Sequence, residues 1–242
     1  MNTFWLSLVL GLGAGLADYI GGLLLVKRSP SARSLRYFVA VGAGFMLSAA
    51  LLEMVPEGLA IYPHWSPLLL LGGYCGVHLL EHTLVPHFHF GEETHHHEFL
   101  SARTSYSVLL GLATHTFFDG IAIGSGFVLS RWLGWVLFFA VFLHKLPEGF
   151  TVASVMLAGG RGKLAALNSA LALGVTTVLG VLVISLAPSW VRFGLPLSAG
   201  VTIYVAGTDL VPEVNREPGI RMALVFFGGV VLFFLLRTLA HI

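Results

Sequence analysis

Four pairs of polar side chains recur at a spacing of four residues in this 242-residue chain: Glu53/Glu57, His115/Asp119, His144/Glu148 and Asp209/Glu213. Residues at i and i+4 share one helix face, so each pair can present two groups together. His115, Asp119, His144 and Glu148 jointly offer two imidazoles and two carboxylates. Mixed nitrogen and oxygen donors suit Zn²⁺ and also Fe²⁺, Mn²⁺, Co²⁺ or Ni²⁺. A proton relay could be built from the same residues. Proline precedes the second acid in three of the pairs, as Pro56-Glu57, Pro147-Glu148 and Pro212-Glu213. Proline withdraws a backbone hydrogen bond and crowds the carbonyl four residues earlier, which frees a carbonyl beside the acidic face.

The elements that must position these residues follow from composition. The chain is 56% hydrophobic and only 10% charged, against about 25% charged in a soluble domain whose surface faces water. It reads as an integral membrane protein. A net charge of +1 gives no general electrostatic case for nucleic-acid binding. The single cysteine, Cys75, excludes an intrachain disulfide, a Cys-based zinc finger and a thiol relay.

A helix needs roughly 20 apolar residues to cross a bilayer. Eight segments qualify: Phe4–Val26, Tyr37–Ile61, Pro67–Val85, Ser105–Leu129, Trp132–Ala158, Leu164–Ala187, Leu195–Val214 and Ile220–Leu236. Barrel strands would alternate over about ten residues, and these runs are continuous. The first segment is followed, not preceded, by its charges Lys27 and Arg28, so it reads as a true span and not a cleaved leader. Glycines four residues apart, Gly11/Gly15 and Gly120/Gly124, let such helices approach closely. The expected fold class is an all-α integral membrane protein, one transmembrane domain over 1–242, with a His-rich loop at 86–104.

Basic residues orient the bundle by the positive-inside rule. Lys27, Arg28, Arg33, Arg36, Arg103, Arg161, Lys163, Arg216 and Arg221 fall on one side, against Arg131, Arg192 and Arg237 on the other. Both termini are therefore expected outside. Eight of the 12 acids lie inside the spans, namely Asp18, Glu53, Glu57, Glu81, Asp119, Glu148, Asp209 and Glu213, and Lys145 joins them. Each costs at least about 2.5–3.5 kcal/mol at membrane depth, so such groups face one another or a polar pathway. Asp18 taken alone reads equally well as glue between helices. Leu-Glu-Met-Val-Pro-Glu (52–57) and Thr-Asp-Leu-Val-Pro-Glu (208–213) form a weak repeat on helices that run in opposite directions. That pattern fits an inverted repeat, segments 1–3 against 6–8, around a central hairpin of segments 4 and 5.

His-Thr-Phe-Phe-Asp-Gly-Ile-Ala-Ile-Gly (115–124) followed by His-Lys-Leu-Pro-Glu-Gly (144–149) resembles the central signature of the ZIP (Zrt/Irt-like) family of divalent metal transporters. The strings at 52–57 and 203–213 resemble that family's second and seventh helices. Eight spans, outside termini and a His-rich loop between spans 3 and 4 also fit. The resemblance implies transport of zinc or related ions into the cytoplasm, with His115, Asp119, His144 and Glu148 as the primary metal site. Members with two metals usually carry Asn after the first His and a carboxylate after the residue that opens the segment 5 motif. Here those positions hold Thr116 and Lys145, and segment 6 supplies no acid, its nearest polar residue being Asn168. A protonated lysine cannot ligate a metal. Lys145, with Thr116, is expected to stand in for the second cation and leave a mononuclear site, as in a prokaryotic type of member.

Glu53, Glu57, Asp209 and Glu213 are expected along the path by which metal arrives from outside, and His78, Glu81 and His82 along the exit. His87, His89, His95, His96 and His97 form a tract that would capture metal loosely. His78-Leu-Leu-Glu81-His82 also matches the H-x-x-E-H pattern of a zinc peptidase, but no connection exceeds about 20 residues, too little for a catalytic domain. The chain is expected not to be an enzyme. The competing reading is a membrane metal sensor or binding subunit that does not transport. Gly11-Leu-Gly13 follows no strand, so no nucleotide fingerprint is present; no organic cofactor and no ATP-driven step are expected. The expected partners are the divalent ion and the bilayer, with a homodimer compatible. The lack of further domains points to a prokaryotic plasma (inner) membrane.

Overall fold

The computed structural model describes residues 2–28, 32–84, 102–216 and 219–240. Among these there is no strand. The helices, in chain order, are α1 (Thr3–Arg28), α2 (Ala32–Ala49, Ala50–Met54 and Val55–Ile61 in succession), α3 (Ser66–Leu84) and α4 (Ala102–Leu129). They continue as α5 (Arg131–Ala158), α6 (Lys163–Leu186), α7 (Pro188–Trp190, Val191–Tyr204, Val205–Leu210 and Val211–Asn215 in succession) and α8 (Ile220–Ala240). All eight expected segments are therefore helices over their described residues. Seven are long and apolar enough to cross a membrane. The remaining one, α3, is 19 residues long and carries His78, Glu81 and His82 near its end, which dilutes its hydropathy. Large apolar side chains on the outside of α8, among them Leu224, Phe227, Val231 and Phe234, are exposed, as a lipid-facing helix requires.

Two groups of four helices build the molecule. Helices α1, α4, α5 and α6 pack together, α2, α3, α7 and α8 form the second group, and the two groups meet where α2 lies on α5 and α7 lies on α4. Exchanging 1 with 6, 2 with 7, 3 with 8 and 4 with 5 maps these contacts onto one another: α1·α5 becomes α6·α4, and α2·α8 becomes α7·α3. The inverted repeat read from six matched positions thus extends through the whole bundle. It reaches the backbone too. Both α2 and α7 open into a π-helical stretch, Ala50–Met54 and Val205–Leu210, immediately before Val-Pro-Glu. The widened turn absorbs the carbonyl that the proline ring would crowd and the hydrogen bond that it cannot make. Pro147 instead sits inside an unbroken α-helix, so the three Pro-Glu steps do not share one backbone solution.

Glycines let the backbones meet. An ideal Cβ on Gly15 would lie 2.6 Å from the Gly174 carbonyl oxygen, joining α1 to α6, and one on Gly120 would land on the Thr177 carbonyl, joining α4 to α6. At the α4–α5 turn Gly126 faces the Gly134 backbone, and Ser130 caps α5 by accepting from the Leu133 amide at 3.1 Å. This one-residue connection fixes α4 and α5 as an antiparallel hairpin. Because overpacking typically costs about 1–3 kcal/mol, Gly120→Ala should lower the melting temperature of the purified protein. An unchanged melting curve in detergent would contradict the close α4–α6 seam.

Candidate metal centre

His115 and Asp119 descend one face of α4; His144 and Glu148 descend the opposing face of α5. All four are buried, and one ligand atom from each lies within 4.8 Å of every other. Nε2 of His115 is 3.2 Å from Oε1 of Glu148 and 3.8 Å from Oδ2 of Asp119. Nε2 of His144 is 3.2 Å from Oδ2 of Asp119 and 4.0 Å from Oε2 of Glu148. The cluster crosses between helices as well as along them, which the four-residue spacing alone cannot arrange.

The ring orientation of His144 is set by its backbone. Its Nδ1 is 2.9 Å from the Ala140 carbonyl, which can only accept, so Nδ1 carries the proton and Nε2 is the atom turned to the carboxylates. Metal-ligating histidines are commonly fixed in this way. Nε2 of His115 is buried with no aligned hydrogen bond among the described residues. Two imidazole nitrogens and two carboxylates converging in a buried space fit a small divalent ion with nitrogen and oxygen ligands.

Lys145 and Thr116 border the same carboxylates. The ammonium lies 2.6 Å from Oε2 of Glu148 and 2.9 Å from Oδ2 of Asp119, and donates to Oγ1 of Thr116 at 3.2 Å. Thr116 in turn donates to Oε1 of Glu148 at 2.6 Å. Lys145 is fully buried and does not snorkel to an interface. Sequence reasoning left out one member of the cluster: Asp18 on α1 is fully buried, with Oδ2 3.8 Å from the Lys145 ammonium. No four-residue partner marks it in the sequence, and only the tertiary contact reveals it. On α6, Asn168 is exposed and no acid faces the cluster.

A second polar group lies between α3 and α7. Tyr204 donates to Oε2 of Glu81 at 2.9 Å and lies 3.5 Å from Nδ1 of His78, while the His78 and His82 rings are 4.1 Å apart. Asp209, on the π-helical stretch that follows Tyr204, accepts from Thr208 at 3.2 Å and is within electrostatic reach of both Glu81 and His115. The four acids expected on one path do not lie together. Glu53 pairs with Arg237 at the end of α8, 3.1 Å away, and Glu57 follows it toward the end of α2. Glu213 pairs with Arg36 at the beginning of α2, 2.8 Å away. Because α2 and α7 are antiparallel, the two Val-Pro-Glu strings emerge at opposite ends of the bundle. Asp209 and Glu213 thus belong with His78, Glu81 and His82. The histidines at 87, 89, 95, 96 and 97 lie outside the described residues.

The family model described as ZIP Zinc transporter matches residues 92–237. The chain is 29% identical to the zinc transporter ZupT of Stenotrophomonas maltophilia over 237 residues, 89% of this chain and 88% of that protein. It is 32% identical to the zinc transporter zipt-7.2 of Caenorhabditis elegans over 126 residues, 46% of this chain. With the human zinc transporter SLC39A7 it shares 29% identity over 154 residues, 56% of this chain. The matches span only 26% and 32% of the last two relatives.

Proposed function

Given that this chain belongs to the ZIP zinc transporter family, we propose that it carries divalent transition metal ions, zinc foremost, across the membrane into the cytoplasm. The observation that carries this reading is the convergence of His115, Asp119, His144 and Glu148 within 4.8 Å, buried on two membrane-spanning helices. The family is one of transporters, so the H-x-x-E-H string on α3 is not a peptidase site.

The proposed route enters at the Glu53/Glu57 end of α2, which the basic-residue bias puts outside together with both termini. The ion binds at the centre and leaves past Asp209, Glu81, His78 and His82. Lys145 serves as a resident cation beside the ligands, supported by Thr116, so the centre holds one ion. Two tight ions per chain in a metal titration would overturn that assignment.

Alternating access calls for one part of the bundle to shift against another. The backbone seams made by glycine fall inside the two helix groups: Gly15–Gly174 and Gly120–Thr177 in one, Gly44–Phe226 and Gly73–Leu197 in the other. Between the groups the contacts are looser. A Cβ on Gly42 would meet the Leu143 backbone only at 3.4 Å, and one on Gly194, at 2.9 Å from Ile121 and Ile184, would meet movable side-chain atoms and no backbone. The surface between groups is therefore the one suited to sliding, and the ligands travel with α4 and α5.

Zinc uptake into proteoliposomes containing the purified protein tests the reading. Saturable uptake is expected, falling as pH is lowered, because protons and metal compete for the same imidazole nitrogens and carboxylate oxygens. Tight binding without flux would favour a sensor or binding subunit.

A further inference from the structure

Asp18 is the one carboxylate of the centre that the proposed function leaves idle. It is fully buried, and among the described residues neither of its oxygens accepts a hydrogen bond. A buried charge in that condition is expensive, and native structures rarely leave a buried polar group unpaired without a reason. Its position is nevertheless held closely. Gly149 follows Glu148 on α5, and any side chain there would strike the Asp18 backbone carbonyl. The chain thus brings Asp18 against the turn that carries Lys145 and Glu148, yet stops its Oδ2 at 3.8 Å from the Lys145 ammonium.

The ammonium is engaged elsewhere: it donates to Glu148 and Thr116 and is ion-paired with Asp119 at 2.9 Å. The oxygens it holds, Oδ2 of Asp119 and Oε2 of Glu148, are the ones that His144 Nε2 faces. A metal bound to His144 Nε2 would therefore lie on the side of the oxygens that the ammonium holds. It also places a divalent charge beside the ammonium, which repels it. Neither Asp18 oxygen accepts a hydrogen bond among the described residues, and from 3.8 Å a charge-assisted hydrogen bond of about 2.8 Å requires the ammonium to move by only about 1 Å.

We propose that Asp18 is a positioning residue that receives Lys145 when a divalent ion binds, withdrawing the ammonium from Asp119 and Glu148. The inference rests on the reading of Lys145 as resident cation. Charge balance gives it a second footing. With neutral imidazoles and all three carboxylates ionised, Asp18, Asp119 and Glu148 against Lys145 leave two negative charges, which one divalent ion cancels. Without Asp18 only one negative charge remains. Without both Asp18 and Lys145 the balance of two is restored.

Zinc titration of the purified full chain by calorimetry tests this on four proteins. Asp18→Asn should weaken zinc binding at least tenfold. Adding Lys145→Met to Asp18→Asn should bring affinity back to within about threefold of wild type, a rescue that a merely structural Asp18 would not show. Wild-type affinity in Asp18→Asn, or a double variant as weak as the single one, would overturn the proposal. Stoichiometry in the same titrations tests the underlying reading separately: Lys145→Met should gain a second, weaker ion, whereas two ions in wild type would sink the resident-cation reading. A zinc-bound structure of wild type needs no variant. The Lys145 ammonium is expected within 3.2 Å of Asp18, and its retention on Asp119 and Glu148 would overturn the transfer.

Discussion

Replacing Glu148 by alanine should reduce zinc uptake into proteoliposomes by at least about 100-fold, the upper end of what losing even an outer-shell partner costs a metal site. Glu148 does more than ligate. Its Oε1 accepts from Thr116 at 2.6 Å and faces His115 at 3.2 Å, while its Oε2 holds Lys145 at 2.6 Å. Alanine removes one ligand and also releases Lys145 and Thr116, so the remaining ligands lose the partners that orient them. The measurement compares initial rates for equal amounts of reconstituted protein, with size-exclusion profiles confirming that both are folded. Equal fluxes would refute the assignment of the site.

The second large effect is on stability. Removing one partner of a buried charge pair typically costs about 3–5 kcal/mol, because the charges left behind have lost their water and found nothing instead. Lys145→Ala leaves Asp18, Asp119 and Glu148 facing one another in a fully buried pocket. Its melting temperature in detergent with a chelator should therefore fall well below that of wild type. Zinc should recover more of the loss than it adds to wild type, since ligand binding stabilises by mass action, about 2.7 kcal/mol at 100 times Kd, and the variant binds through extra uncompensated charge. Melting curves of both proteins with zinc and with chelator check this. A variant that melts like wild type in chelator would show that Lys145 does not balance those acids.

Much of the fold was legible because the bilayer imposes a simple rule on it. Long apolar runs gave the eight helices, and their order held. Boundaries were less readable: the seventh span was expected from Leu195, after the charged Arg192, whereas its helix is already under way at Val191 and carries Arg192 in its first turn. The ligand pairs were legible because imidazole and carboxylate are rare in apolar sequence and the helical period aligns them. The π-helical stretches were not, since no residue type announces an extra residue in a turn; only their repetition before Val-Pro-Glu ties them to the sequence. Asp18 escaped for another reason. It carries no partner on its own helix, and its neighbour Lys145 is brought to it by the packing of α1 on α5. Glu53 and Glu213, expected along one path, sit instead beside Arg237 and Arg36, which is what the opposite directions of their helices entail.

The division between backbone seams and side-chain seams has a practical bearing on how such a protein can change. Where glycine brings backbone onto backbone, as at Gly15 and Gly174 or Gly149 and Asp18, a single added methyl has nowhere to go, and variation there is closed. Along the surface of α2 against α5 and α7 against α4, side chains can be exchanged one at a time. Ser198, which donates from α7 to the Phe118 carbonyl of α4 at 2.9 Å, is a latch on that surface. Variants selected for faster turnover should therefore accumulate along this boundary, and those selected for a different metal should accumulate inside the four-helix group that holds the ligands.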